Sequence, residues 1–99
     1  MGRASQARAV LHLLDRITVS VERSTDRRSE AFLTLRKGLG YCWSVAVAAL
    51  PEGGKPLIEK WAARQDADVR WIMRENLKKN RLVRIDAAWT KKWLGRLGA

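Results

Sequence analysis

Residues 56–65 and 68–82 carry two apolar stripes at helical spacing, separated by little more than Asp66-Ala67-Asp68, and this arrangement constrains the fold more than any other feature. At about 100° per residue, Leu57, Ile58, Trp61 and Ala62 share one side of the first segment, while Glu59, Lys60 and Arg64 share the other. In the second, Val69, Ile72, Met73 and Leu77 form a stripe, with Asn76 and Asn80 in the same arc and Trp71 and Leu82 on the far side. Asp66 and Asp68 stop the first helix and start the next, with carboxylates at its positive end. A helix with two separated apolar faces packs between two neighbours, so the pattern predicts stacked helical hairpins.

The rest of the chain reads the same way. Residues 4–23 place Val10, Leu13, Leu14, Ile17 and Val21 on one stripe. Ser24-Thr25-Asp26 offers an N-cap for a second helix through Phe32 and Leu35. Gly38 and Gly40 either end that helix or sit inside a longer one where a neighbour packs closely. Tyr41 to Leu50 is apolar nearly all round, which predicts a central helix buried on most sides. Pro51-Glu52-Gly53-Gly54 reads as a break, with Pro56 in the first turn of the following helix. Asp86 caps a last helix through Leu97. Five to six helices and no strands result: an all-α single domain over residues 1–99.

Composition narrows function. Twenty Lys and Arg against ten Asp and Glu give a formal net charge of +10. The excess lies at both ends, with eight basic and four acidic residues in 1–40 and nine and four in 66–99. Such a balance favours polyanionic or acidic partners; a solvated basic surface is the alternative. Arg70, Arg74, Lys78 and Arg81 fall at i, i+4, i+8 and i+11 and form the candidate binding stripe, with Lys91, Lys92 and Arg96 on the last helix. Trp71, Trp89 and Trp93 are candidates for stacking on bases, or for packing between the last helices. Trp43 and Trp61 belong to the core.

Catalysis finds little support. His12 is the single histidine and Cys42 the single cysteine, too few to hold a metal or build a nucleophilic pair. Gly38-x-Gly40 and Gly53-Gly54 lack the pattern of a phosphate loop. No cofactor is implied. The lone cysteine fits a cytoplasmic setting, and no apolar run reaches the roughly 18 residues of a membrane span. Asn76, within an apolar arc, is expected to bond main-chain groups of the adjacent helix or turn.

The series Lys55-Pro56-Leu57, Asp66-Ala67-Asp68-Val69-Arg70 and Asn76-Leu77 resembles the HEAT repeat, a unit of two antiparallel helices. The resemblance spans Lys55 to Leu82, the clearest repeat. Residues 4–50 look like a degraded first unit, offset by 34 if Leu35-Arg36 matches Val69-Arg70, or by 42 if Asp26-Arg27-Arg28 matches Asp68-Val69-Arg70. Residues 86–97 would be the C-terminal cap. The resemblance implies a right-handed α-solenoid fragment acting as a non-catalytic, protein-binding scaffold. Its alternative is backbone binding of DNA or RNA, as in the HEAT-like DNA-alkylation-repeat proteins, whose Trp, Asp and Arg residue types are present as Trp71, Asp68 and Arg74 without a matching motif. Solenoids usually need three or more units. Two units imply that the first helix acts as a cap, that the chain is truncated, or that copies associate through an uncapped end.

Overall fold

The computed structural model describes residues 2–98. Six helices follow one another among them: α1 (Arg3–Arg23), α2 (Glu30–Ala49), α3 (Pro51–Ala62), α4 (Ala67–Leu77), α5 (Asn80–Ile85) and α6 (Ala87–Arg96). The all-α reading holds, and no described residue lies in a strand. None of these helices is long and apolar enough to cross a membrane.

The caps show why the elements start where they do. Asp66 Oδ1 accepts from the amides of Asp68 and Val69 at 3.0 and 3.1 Å, and Asp86 Oδ1 accepts from that of Trp89 at 3.0 Å. Both satisfy orphan N–H groups of a first turn, as their sequence contexts predicted. The cap of α2 is instead Ser29, whose hydroxyl accepts from Phe32 N–H at 3.1 Å, and Ser24-Thr25-Asp26 belongs to the connector. Gly98, just after α6, has a φ of 78°, a value that favours glycine.

Several other expectations are corrected. Gly38 and Gly40 lie inside α2, and Gly40 is where a neighbour closes in: a Cβ there would stand 3.0 Å from the Trp71 ring. Pro51-Glu52-Gly53-Gly54 is the first turn of α3, so the break contracts to Leu50 and Pro56 falls inside the helix. Gly54 permits this sharp corner, since a Cβ would meet Val47 Cα at 2.9 Å. The helix expected over 68–82 ends at Leu77 and resumes at Asn80, which is exposed. In α1 the buried face is Leu11, Leu14, Thr18 and Val21; Val10 and Leu13, expected inside, are 47% and 55% exposed. The second half of α2 buries Trp43, Ser44, Ala46 and Val47 but leaves Tyr41, Cys42 and Val45 exposed, so it is covered on one side only.

Cross-helix contacts fix the relative directions. Asp15 meets Lys60 and Trp61, and Glu22 meets Arg64, so α1 and α3 run the same way. Lys55 meets Asp86 and Glu59 meets Trp89, so α6 runs parallel to α3. Arg36 meets Asp68 and Ser44 meets Asn76, so α2 and α4 are parallel too. α1 packs on α2, and the six-residue connector 24–29 turns the chain back between them, so the two run antiparallel. The result is a slab of 36 × 34 × 19 Å, whose short dimension suits two helices packed at 8–10 Å. Helix α2 is central and touches α1, α3, α4 and α5.

Two buried polar groups tie this core. Trp43 Nε1 donates to Thr18 Oγ1 at 3.1 Å, joining α2 to α1. Asn76 behaves as expected: its Oδ1 accepts Ser44 N–H at 2.7 Å, and its Nδ2 donates to the Leu39 and Ile72 carbonyls at 2.8 and 2.7 Å. Thr18, Trp43, Ser44 and Asn76 are all buried, so each bond forms away from competing water.

Candidate partner-binding surface

A cluster of four charges holds the α1–α2 connector against the start of α4. Arg27 grips Asp66 with both terminal guanidinium nitrogens, at 2.9 and 2.7 Å, and reaches Asp68 at 2.9 Å. Arg36 meets the other oxygen of Asp68 at 2.7 Å. The fork geometry makes the Arg27–Asp66 pair stronger than a point contact. Hydrogen bonds from Arg27 hold the Asp66 carboxyl below the usual carboxylate range, although burial acts to raise it. For Asp15, burial likewise pushes upward and is outweighed by hydrogen bonds from Lys60 and Trp61.

These shifts set an acid limit on stability. Groups with depressed folded-state values contribute fully above the ordinary carboxylate range of about 4, and the contribution disappears as pH falls through the folded value. The melting temperature should therefore drop from about pH 5 downward, and Arg27→Met should flatten that limb by freeing Asp66. A melting temperature constant between about pH 5 and pH 3 would count against the clamp.

The predicted basic stripe does not survive as a line, because the helix breaks at Lys78-Lys79. Arg70 donates to the Ala62 and Arg64 carbonyls at the end of α3 and to Arg96 O at the end of α6, each at 3.4 Å. Arg74 donates to Leu97 O at 3.3 Å. Both therefore cap helix C-termini, where the dipole favours a cation. Lys78 pairs with Glu75 at 3.1 Å. Arg81 turns to α2, donating to Ser44 Oγ at 2.8 Å and to Tyr41 Oη at 3.2 Å. Arg96 stands over Trp93, 4.6 Å from the ring centroid, while Lys91 and Lys92 are exposed on α6.

The three stacking candidates are placed between helices. The Arg36 guanidinium lies 3.7 Å from the Trp71 ring centroid, and the ring edge packs on Gly40. Trp89 Nε1 donates to Glu59 at 2.8 Å, with Lys55 over its ring. Trp93 is 9% exposed, and its Nε1 has no partner among the described residues. Trp93 is thus inside, while Trp71 and Trp89 are half-buried with a cation already over each ring.

The surface that sequence reasoning missed lies on the other side of α2. An apolar trough runs between α1 and α2, walled by Ala7, Val10 and Leu14 on one helix and by Tyr41, Val45 and Ala49 on the other. A second trough, between α2 and α4, contains Leu33, Lys37, Gly40, Trp71 and Lys79, and Tyr41 lines both. The missed signal was the apolar circumference of 41–50. That segment has more apolar surface than α1, α3 and α4 cover. Helical periodicity directs one apolar face inward but does not say whether a second face has a neighbour.

Comparison with known protein families, characterised proteins and solved structures finds no match to this chain.

Proposed function

We propose that the chain is a right-handed, HEAT-like α-solenoid fragment acting as a non-catalytic, protein-binding scaffold. The observation that carries this reading is the uncovered apolar trough between α1 and α2. Contiguous exposed apolar surface marks association sites on proteins that otherwise bury such groups. The parallel pairs α1/α3/α6 and α2/α4, with α1 antiparallel to α2, support repeated hairpins. They also support separate offsets for the two layers: contacting residues are 42–46 apart between α1 and α3, and 32–37 apart between α2 and α4. No single period of 34 or 42 is then needed. The lone cysteine suits a cytoplasmic setting.

Nucleic-acid binding is the weaker reading, because Arg70, Arg74 and Lys78 are engaged within the chain and the tryptophans pack between helices. Anisotropy titrations with duplex DNA and single-stranded RNA, between about 50 and 200 mM salt, separate the two. The scaffold reading expects only non-specific association, weaker than about 1 μM at physiological salt. Submicromolar affinity there, reduced by Trp71→Ala or Lys91→Glu, would overturn it.

A further inference from the structure

The trough between α1 and α2 has the form of a helix seat. Its two walls are antiparallel helices, each long enough to offer several turns, and a groove between neighbouring helices is filled naturally by the ridge of a third. The wall residues are large for an open position: Val10 is 47%, Tyr41 52% and Val45 45% exposed. The same helices bury Leu11, Val21, Trp43 and Val47 almost completely against the rest of the chain. The α1–α2 pair thus has a second apolar face that no other helix of the chain covers.

Charge identifies the occupant. At the Tyr41 end, the Arg81 guanidinium stands 4.6 Å from the ring centroid and the Lys79 ammonium 5.9 Å. Lys37 lies one turn before Tyr41 on the same side of α2; it and Lys79 line the neighbouring α2–α4 trough, which meets this one at Tyr41, while Arg3 lies one turn before Ala7 at the other end. Bonds to Ser44 and Tyr41 fix the Arg81 side chain, and its remaining N–H groups can still serve a carboxylate. Among the residues lining the two troughs, Glu75 is the single carboxylate, and Lys78 holds it. A second copy would bring another chain of net charge +10 against this basic rim.

We infer that the trough between α1 and α2 receives the apolar face of an amphipathic helix from an acidic protein, whose charged end lies at Tyr41. The partner's carboxylates meet Lys37, Lys79 and Arg81, while its apolar ridge lies on Val10, Val45 and Ala49. This inference rests on the scaffold reading and adds the chemistry of the partner.

Cys42 lies in the trough and is exposed, so its reaction with a small thiol reagent reports occupancy on the intact chain. The probes are two synthetic helices of about 18 residues sharing one apolar stripe, one flanked by Glu and the other by Lys. The Glu-flanked helix is expected to bind and to slow Cys42 labelling; the Lys-flanked helix is expected to do neither. Val45→Glu, at an exposed position, should weaken binding at least about tenfold, or about 1.4 kcal/mol, with an unchanged helical circular-dichroism spectrum. Lys37→Glu combined with Lys79→Glu should weaken it and reduce its salt dependence. Equal binding of both helices overturns the acidic partner, and binding indifferent to Val45→Glu overturns the site. Cys42 protection that grows with protein concentration alone would assign the trough to a second copy and overturn the acidic partner. Failure of both helices with only weak DNA binding rejects this inference but leaves the scaffold reading, whereas tight DNA binding at physiological salt rejects both.

Discussion

Asn76→Leu is expected to lower the free energy of unfolding by about 2–5 kcal/mol, although the two side chains are similar in size. The cost comes from what the amide leaves behind in α2. Without it, the buried Ser44 N–H loses the acceptor at 2.7 Å and the Leu39 carbonyl loses the donor at 2.8 Å. With the bond to the Ile72 carbonyl, three buried hydrogen bonds are lost at about 0.5–1.5 kcal/mol each, and leucine offers no polar atom in return. Asn76→Asp should be worse still. One carboxylate oxygen could accept from Ser44, but the other would face the Leu39 carbonyl as a buried charge. Urea unfolding should show the midpoint falling with the slope unchanged. A loss under about 0.5 kcal/mol would mean that α2 and α4 are not joined through this amide.

The second large effect separates shape from hydrogen bonding at the α1–α2 contact. Trp43 is fully buried, and Trp43→Ala should cost about 3–5 kcal/mol through lost burial and the cavity left behind. Trp43→Phe keeps much of the apolar area and removes the bond from Nε1 to Thr18 at 3.1 Å. Thr18 still donates to the Leu14 carbonyl at 2.8 Å, so its hydroxyl stays satisfied. The Phe variant should therefore lose only about 1–2 kcal/mol. Equal losses for the two variants would point to the indole bond, rather than volume, as what fixes α1 on α2.

Most helices were legible because their signals are local. The Asp66 and Asp86 caps, the 57–62 stripe and the buried Asn76 need only residues a few positions apart. What failed depended on partners distant in sequence. Periodicity placed Val10 and Leu13 on the core stripe, but the centre of the buried face is Thr18, whose hydroxyl is satisfied by Leu14 and Trp43. Glycine and proline suggested a break at 51–54, yet Gly54 lies in the helix because it lets α3 turn against Val47. The basic stripe assumed one continuous helix, and the break at Lys78-Lys79 sent Arg81 toward Tyr41. The clamp of Arg27 and Arg36 on Asp66 and Asp68 spans separations of 32 to 41 residues, beyond any local pattern.

The functional reading depends on stacked hairpins in which corresponding helices run in parallel, because only that order leaves the outer side of α1 and α2 as an end face. Spin labels on α2 and α4 test it directly, in a chain whose Cys42 is replaced by serine. Thr34 and Ala67, both exposed, sit near the starts of their helices, while Lys78 follows the end of α4. Parallel pairing makes the Thr34–Ala67 distance the shorter, with Thr34–Lys78 longer because the 11 residues of α4 add an axial offset of roughly 16 Å. The reverse order, with Thr34 closer to Lys78, would contradict the stack and with it the proposed end surface.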